Sequence, residues 1–326
     1  MNRMSKEELA RFFASKDSTV LSFEERGPYG DSSYNGNWSG YIPGFFMWKL
    51  GAKNVSEIFA GSGSTSDIAK DMGVNYIGID INPNPKRQDI LSMNILDDSI
   101  ELPKEFYDAD ICFLHPPYPS INNVRYAGKM YQANDEIFSQ DIQNMSWEKG
   151  MNAVNHAILR GYNSLPRGSY EVVMVGEIRS KGCYKSMFQQ LAIPGELFQT
   201  YVKIQHNTMS GRNGINYGTN PRALTAHEMI AVIKKTSGFE LAYVIPKEYC
   251  VDLRDTNMAT WMDIVSTAVG QCNKTFGNED IYHLLQGHKK CSTNSNYKAA
   301  IRQKLQELEH IGVIHDAGRG FWTKAA

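Results

Sequence analysis

The chain has 326 residues, and its 34 lysine and arginine residues are balanced by 35 aspartate and glutamate residues. This balance argues against a protein coated in basic charge for non-specific nucleic-acid binding and against an acidic solvating tail, although it allows a local basic face. Apolar residues make up 42% and charged residues 21%, which is typical of a globular protein. The length allows one large domain, or one domain of ordinary size with a smaller one.

Cysteine spacing and the lengths of apolar runs indicate where in the cell the protein is expected. The cysteines are odd in number and none have C-x-x-C spacing, so neither a zinc ribbon nor a secreted disulfide framework is expected. The N-terminal segment carries a charge every few residues and lacks the apolar core of a signal peptide. The longest apolar run, Tyr41 to Trp48, is shorter than the roughly 20 residues that span a bilayer. We therefore expect a cytoplasmic protein with no metal and no membrane partner.

Hydrophobic periodicity predicts strands that alternate with helices. A short amphipathic helix over Ser5 to Ala14 precedes a polar, glycine-rich loop over Gly27 to Gly40. The elements that follow are predicted at 43–50 (helix), 54–59 (strand), 65–72 (helix), 75–79, 88–91 and 109–114 (strands), 147–159 (helix), and 170–175, 197–205 and 225–234 (strands). Strands separated by helices imply a parallel sheet with right-handed crossovers. The sequence therefore predicts an α/β fold that binds its ligand at the carboxyl ends of the strands.

A glycine turn follows the first strand of this sheet. Small residues within Phe59 to Ser64 let the backbone turn tightly and approach a ligand closely, although a lone Gly-x-Gly is as often an ordinary loop. Asp80 ends the next strand, where a carboxylate can accept hydrogen bonds from both ribose hydroxyls. The combination favours an adenosine-containing ligand. Because a dinucleotide glycine pattern and a P-loop lysine are both missing, S-adenosylmethionine (AdoMet) is the leading candidate.

A second motif, His115-Pro116-Pro117-Tyr118, follows the strand at 109–114. Consecutive prolines fix the backbone and remove two N–H donors, so the turn can present a carbonyl to a ligand. The Pro116 carbonyl and a ring nitrogen of His115 can accept hydrogen bonds from an exocyclic amine, and the Tyr118 ring can stack on a base. The simpler interpretation is that the prolines merely end the strand. The position of the motif at a strand end favours catalysis of in-line transfer.

These two motifs and Asp80 resemble those of amino-methylating DNA methyltransferases, which make N6-methyladenine or N4-methylcytosine. Tyr34 to Trp38 looks like the segment that closes over the methionine part of the cofactor, and Asn94 looks like the residue that contacts its adenine. Thr225 to Val232 resembles the antiparallel last strand of the family's sheet. The resemblance covers roughly residues 30 to 236 and implies a Rossmann-like methyltransferase sheet, mostly parallel with an antiparallel last strand.

The resemblance also implies a set of site residues. The catalytic residues would be His115, Pro116, Pro117 and Tyr118. The residues that bind AdoMet would be Tyr34, Asn37, Trp38, Phe59, Ala60, Gly61, Ser62, Gly63, Asp80, Ile81, Asn94 and His115.

His115 departs from the Asp, Asn or Ser that usually begins the family's motif. A neutral histidine has one acceptor nitrogen and a protonated histidine has none, so activity is expected to fall at mildly acidic pH. The substitution also leaves the target base open. N6 of adenine is the first choice and N4 of cytosine the second, and a changed or lost activity is a further alternative.

Two long polar loops, at 118–135 and 207–222, can reach a substrate, although each residue in them can equally belong to a solvated loop. A base within a duplex cannot reach His115, so the target is flipped out or single-stranded. Together with the C-terminal segment, these loops supply the candidate DNA contacts: Arg125, Tyr126, Lys129, Arg212, Asn213, Arg222, Lys298, Arg302, Gln303 and Arg319.

The residues after Pro246 change pattern. Helices are predicted at 261–269, 278–285 and 297–311, and a strand, turn and strand follow. The last helix carries an apolar stripe of Ile301, Leu305, Leu308 and Ile311. This order suggests a winged helix-turn-helix and resembles winged helices appended to bacterial modification and restriction enzymes. The other interpretation is a small helical domain that packs on the sheet or dimerises.

We therefore predict an AdoMet-dependent methyltransferase domain over 1–250 and a winged-helix DNA-binding domain over 258–326. The predicted activity is that of a site-specific DNA methyltransferase, encoded by a bacterium or phage. An RNA methyltransferase and a non-catalytic DNA-binding regulator on a degenerate methyltransferase fold are the rivals. A homodimer and a nuclease partner of a restriction–modification system are further partners that the resemblance leaves open. Overall neutrality is compatible with DNA, because residues 160–235 and 285–326 are locally basic.

Overall fold

The computed structural model describes residues 3–31, 34, 36–120, 135–180, 183–206, 223–236 and 259–325. The chain divides into two compact units, Met1–Val244 and Ile245–Ala326. Within the described ranges, no helix is both long and apolar enough to cross a membrane. Six of the candidate DNA contacts lie outside the described residues: Arg125, Tyr126, Lys129, Arg212, Asn213 and Arg222.

The first unit alternates strands and helices. Its helices are α1 (Lys6–Ala14), α2 (Tyr41–Leu50), α3 (Ser64–Met72), α4 (Asp135–Gln140) and α5 (Trp147–Ser164). Its strands are β1 (Val20–Ser22), β2 (Asn54–Ile58), β3 (Asn75–Asp80), β4 (Ile90–Ser92), β5 (Ile111–Leu114), β6 (Tyr170–Val175), β7 (Glu177–Ser180), β8 (Cys183–Ser186), β9 (Glu196–Ile204) and β10 (His227–Lys234).

Eight of these strands form one sheet in the order β1-β9-β10-β6-β5-β2-β3-β4, and β7 and β8 form a separate hairpin. Strand β10 runs antiparallel to both of its neighbours, and the other pairs in the sheet are parallel. From β4 to β9 the order is that of a doubly wound sheet with one antiparallel strand inserted. The predicted Rossmann-like sheet, mostly parallel with an antiparallel last strand, is therefore confirmed.

Helices cover both faces of this sheet. Phe113 and Val172 pack into one apolar cluster with residues of α1, α2 and α3. The residues next to them in the chain, Leu114 and Val173, pack into another cluster with residues of α5. Successive side chains of a strand point to opposite faces, so a strand buried on both faces reads as a continuous apolar run.

Element boundaries differ from the predictions where proline chemistry decides them. Helix α2 begins at Tyr41 and tolerates Pro43 because the N–H groups of a first turn have no helical partner anyway. Helix α5 continues to Ser164, beyond the predicted end at 159, and stops at Leu165 because the residue before Pro166 disfavours helical geometry.

The second unit packs a small helical core beside an antiparallel sheet. Its elements are α6 (Trp261–Gln271), β11 (Thr275–Gly277), α7 (Asn278–Leu284), α8 (Lys289–Ser292), α9 (Tyr297–His310), β12 (Ile314–Gly318) and β13 (Phe321–Lys324). The strands are ordered β11-β13-β12. Ile301, Leu305 and Leu308 are buried as predicted, whereas Ile311 is 66% exposed because α9 ends one residue before it.

Candidate active site

The carboxyl ends of three neighbouring strands carry the predicted motifs. The glycine turn follows β2, Asp80 ends β3, and His115 follows β5. Strand β2 lies between β3 and β5. The strands that follow β2 in the chain are therefore added first on one side of it and then on the other, so the strand order reverses at β2. Such a switch point opens a crevice in which α/β proteins bind their ligands.

The glycine turn is held in a strained conformation. Phe59 adopts a left-handed backbone with φ of 67°, as do Gly61 at 53° and Gly63 at 85°. Left-handed geometry is costly for a phenylalanine and is concentrated at functional sites. A Cβ on Gly61 would lie 3.1 Å from two ring carbons of Tyr34, so the Tyr34 ring lies directly against the turn.

Asp80 is fixed in place by backbone donors. It is 5% exposed, and its two carboxylate oxygens accept hydrogen bonds from the N–H of Gly61 at 2.7 Å and of Asn82 at 2.9 Å. An ionised carboxylate has about four lone-pair sites, so a carboxylate in this position can also accept from ligand hydroxyls. Asn82 was missed by the sequence analysis. Its side-chain Nδ2 is buried and, within the described residues, has no hydrogen-bond partner. A ligand acceptor, such as a ribose oxygen, would satisfy this buried donor.

The predicted cofactor segment packs onto the glycine turn. The Asn37 side-chain oxygen accepts a hydrogen bond from the Ser62 hydroxyl. The Trp38 indole N–H donates to Thr65 Oγ1 at 3.1 Å. The structure thus brings Tyr34, Asn37 and Trp38 together with the turn over 59–63, as a cofactor site built from these residues requires.

Glu57 is a second residue that the sequence analysis missed. It is 2% exposed and accepts hydrogen bonds at 2.5 Å from the hydroxyls of Thr65 and Tyr76. Burial raises the pKa of Glu57 to about 8, against the opposing effect of these hydrogen bonds, so it is mostly protonated at neutral pH. The signal for it was an acidic residue within an apolar strand, directly before the glycine turn.

The remaining predicted cofactor residues also follow the carboxyl ends of strands. Ile81 follows Asp80, and Asn94 follows β4. The Asn94 side chain donates to Gln140 Oε1 at 2.9 Å and accepts from the N–H of Leu96 at 3.0 Å. Beside Gln140, burial raises the pKa of Asp141 to about 6, and the charge of Asp80 adds to this increase.

The His115 imidazole is held between aromatic rings. It stacks on Trp38 with 5.5 Å between ring centroids and 14° between planes. Tyr118 meets it edge-on, with 6.0 Å between centroids. Predicted catalytic and cofactor residues are therefore in direct contact. Pro116, between His115 and Pro117, is buried.

Glu228 on β10 completes this site, and the sequence analysis did not assign it. Its Oε1 accepts a hydrogen bond from the Tyr118 hydroxyl at 2.6 Å and lies 3.7 Å from His115 Nε2. Lys203 on β9 donates to its Oε2 at 2.8 Å. Burial alone would raise the pKa of Glu228, but Lys203 and His115 hold it well below its usual value. No sequence pattern indicated this contact, because Tyr118 and Glu228 are 110 positions apart.

In the second unit, the predicted DNA-contacting side chains are exposed. Lys298 Nζ lies 4.6 Å from the centroid of the Tyr282 ring, and Arg302 Nη1 donates to the Tyr282 hydroxyl at 3.1 Å. Lys298, Arg302 and Gln303 all lie on α9, and Arg319 lies in the turn between β12 and β13 with φ of 53°. The arrangement therefore presents basic side chains along one helix.

No model of a known protein family matches the chain, and no curated protein matches it. Among solved structures, TrmN from Thermus thermophilus is 12% identical with a TM-score of 0.37, covering 62% of this chain and 50% of TrmN. The N-methyltransferase NodS from Bradyrhizobium japonicum is 12% identical with a TM-score of 0.32, covering 59% of this chain and 93% of NodS. The plantazolicin methyltransferase BpumL, solved in complex with SAH, is 11% identical with a TM-score of 0.33, covering 70% of this chain and 90% of BpumL. The chain spans half the length of TrmN, and likenesses of this degree assign it no family, cofactor or substrate.

Proposed function

We propose that this protein is an AdoMet-dependent methyltransferase that modifies an exocyclic amine of a DNA base, with N6 of adenine as the first choice. The observation that carries the proposal is the contact between the two motifs. The His115–Tyr118 turn and the glycine turn with Asp80 follow neighbouring strands, and Trp38 of the cofactor segment stacks on His115.

The cofactor site is assigned to residues with a clear geometric role. Asp80 would accept from the ribose hydroxyls, the turn over 59–63 would let the ligand approach the backbone, and Asn94 would face the adenine. AdoMet, when bound, supplies an electrophilic methyl group on a sulfonium. Tyr34 and Trp38 cover the turn and would exclude water from the reacting end of the site.

The target amine is assigned to the His115–Tyr118 turn. A lone pair of His115 and the Pro116 carbonyl would accept hydrogen bonds from the amine, which localises the amine lone pair for attack. The amine nitrogen would bond to the methyl carbon as the methyl–sulfur bond breaks and sulfur keeps the electron pair. We assign the proton that the nitrogen loses to His115. Glu228 accepts a hydrogen bond from the Tyr118 hydroxyl and so fixes the position of the ring, on which the base would stack.

DNA binding is supported by the second unit. Its order of helix, strand, three helices and two strands supports the proposal of a winged helix-turn-helix, with α9 as the helix that would enter the major groove. Lys298, Arg302 and Gln303 are exposed on this helix. Basic side chains there can contact phosphates or base edges.

A non-catalytic DNA-binding regulator is the second candidate, and one observation favours it. His115 replaces the usual acceptor, and its buried Nε2 lies 3.7 Å from the Glu228 carboxylate with no hydrogen-bond partner among the described residues, so this nitrogen faces a negative charge and not an amine. A regulator would keep the AdoMet and DNA sites without transferring a methyl group.

Label transfer from radioactive AdoMet separates these functions. The intact protein is incubated with unmethylated duplex DNA, single-stranded DNA and RNA of matched sequence, and the retained label is counted for each polymer. Label in either DNA supports the proposal, and label in RNA alone indicates an RNA methyltransferase. Binding of AdoMet and DNA without transfer indicates the regulator.

A further inference from the structure

The carboxylate of Glu228 connects the catalytic turn to the antiparallel part of the sheet. It is 6% exposed, and its Oε1 accepts from the Tyr118 hydroxyl at 2.6 Å and lies 3.7 Å from His115 Nε2, a buried nitrogen with no hydrogen-bond partner among the described residues. The other oxygen takes the Lys203 ammonium at 2.8 Å. Side chains from β9 and from the turn after β5 therefore surround one buried carboxylate on β10.

This environment keeps Glu228 ionised. A buried carboxylate without a partner is costly, and Lys203 supplies the compensating charge. The Lys203 ammonium and His115 hold the pKa of Glu228 well below its usual value, although burial opposes them. An ionised carboxylate can only accept hydrogen bonds. Its Oε1 therefore favours a proton on the nitrogen that faces it, His115 Nε2.

The tautomer of His115 follows from this contact. A neutral imidazole carries one proton, so a proton on Nε2 leaves the lone pair on Nδ1. The groups that face the ring are the Glu228 carboxylate, the Tyr118 ring and the Trp38 indole, with Lys203 behind the carboxylate. A carboxylate that orients an imidazole and stabilises its protonated form is the logic of a catalytic triad.

We propose that Glu228 is a positioning residue that holds His115 in the Nε2–H tautomer, so that Nδ1 accepts from the target amine. The inference rests on the proposed function. As the amine nitrogen bonds to the methyl carbon, the methyl–sulfur bond of AdoMet would break with its electron pair kept by sulfur. The proton lost by the amine would pass to Nδ1, and the Glu228 charge would stabilise the resulting imidazolium. Glu228 thereby compensates for the missing acidic residue at position 115.

The tautomer can be read in the wild-type protein without activity. Long-range ¹H–¹⁵N correlation spectra of protein labelled in its histidine rings distinguish the two tautomers, and the His115 signals are those missing from His115→Asn. We expect Nε2 protonated and Nδ1 unprotonated near pH 8. A proton on Nδ1 at that pH would overturn the inference, whether or not the protein methylates DNA.

Kinetics of matched variants test the consequence for catalysis. Glu228→Gln retains shape and removes charge, and we expect kcat to fall at least about tenfold with AdoMet affinity unchanged. Its tautomer spectrum should lose the preference for Nε2–H, because the carboxylate charge that faces this nitrogen is gone. The control is Glu171→Gln, a fully buried glutamate near the amino end of β6, where it pairs with Ile233 of β10.

The outcomes separate the two proposals. Loss of rate and loss of the Nε2–H preference in Glu228→Gln, with a normal Glu171→Gln, support the positioning role. A Glu228→Gln enzyme with unchanged kcat and an unchanged His115 tautomer overturns it while leaving the methyltransferase function intact. If wild-type protein methylates no polymer, the proposed function fails, and the tautomer spectrum alone decides whether Glu228 orients His115.

Discussion

The imidazole of His115 lies parallel to the indole of Trp38, with 5.5 Å between their centroids and 14° between their planes. Trp38 belongs to the segment that covers the glycine turn, and His115 begins the turn after β5. Because the same indole donates to Thr65 at the start of α3, the stack ties the proposed cofactor site to the proposed amine site. The position of His115 therefore depends on Trp38, and the position of Trp38 depends on Thr65.

Removing the stack should slow methyl transfer. Trp38→Ala leaves the His115 ring unsupported on one face, and we expect kcat at saturating AdoMet to fall about tenfold or more, or about 1.4 kcal/mol. Trp38→Phe keeps an aromatic face but loses the hydrogen bond to Thr65, so it should retain most of the rate. Equal losses in the two variants would show that the Thr65 hydrogen bond, and not the stack, matters.

Asp80→Asn should weaken AdoMet binding by about 10- to 100-fold, or about 1.4–2.8 kcal/mol, as measured by calorimetry. The amide keeps one acceptor but no longer offers two oxygens to a ribose. Asp110→Asn is the matched control, because Asp110 Oδ2 also accepts two backbone N–H groups, from Lys53 at 2.7 Å and Asn54 at 2.9 Å, before β5. Similar affinity losses in both variants would indicate a general loss of stability.

Gly176→Ala should displace Tyr118. A Cβ at this position would lie 2.7 Å from the Tyr118 hydroxyl and 2.8 Å from its Cε2, so the ring must shift. We expect kcat to fall while AdoMet affinity is kept. Gly270→Ala, where no atom lies within 4 Å, serves as the control and should stabilise α6 by up to about 1 kcal/mol. A fully active Gly176→Ala enzyme would argue against a fixed Tyr118.

Glu57 predicts a particular dependence of stability on pH. Burial raises its pKa from 4.5 to about 8, so the chain takes up a proton on folding between these values. The contribution of Glu57 to the free energy of unfolding is fully present below 4.5, its pKa in the unfolded chain, and declines as the pH rises towards 8. Glu57→Gln lacks this decline, so its stability relative to wild type should increase between pH 5 and pH 8 by a few kcal/mol, on the order set by the shift. Urea unfolding at both pH values measures it, and the contributions of other buried acids cancel in the difference. A constant difference would contradict the assignment.

Lys298→Ala should weaken binding to DNA of any sequence. The slope of the logarithm of the binding constant against the logarithm of the salt concentration should become shallower by about one unit, since one phosphate contact is lost. Lys274→Ala is the control, because Lys274 is exposed in the same unit but lies outside α9. Fluorescence anisotropy across a salt series gives both slopes. Unchanged affinity in Lys298→Ala would favour the interpretation of a small helical domain that binds no DNA.

Most of the sheet was predictable because its strands are short apolar runs bounded by glycine, proline and charge. Asp80, the glycine turn and His115 were predictable for a related reason, since each follows a strand directly and the sheet rule places strand ends together. The hairpin of β7 and β8 was missed, since it follows β6 after a single residue and its exposed face shows no apolar alternation.

Contacts across long sequence separations were not predictable. Glu228 and Lys203 belong to strands that the pattern identified, but nothing local indicates that their side chains meet His115 and Tyr118. Asn82 was missed for another reason. Its importance follows from a buried donor without a partner in the described residues, which only the folded arrangement reveals.

The central claim is methyl transfer to an exocyclic amine at the His115–Tyr118 turn. The most direct measurement is mass spectrometry of nucleosides from unmethylated DNA incubated with AdoMet that carries a deuterated methyl group. Wild-type protein should yield deuterated N6-methyladenine, and His115→Ala should yield at least about 100-fold less. Deuterium in a ring carbon of a base, or an equal yield from His115→Ala, would contradict the account.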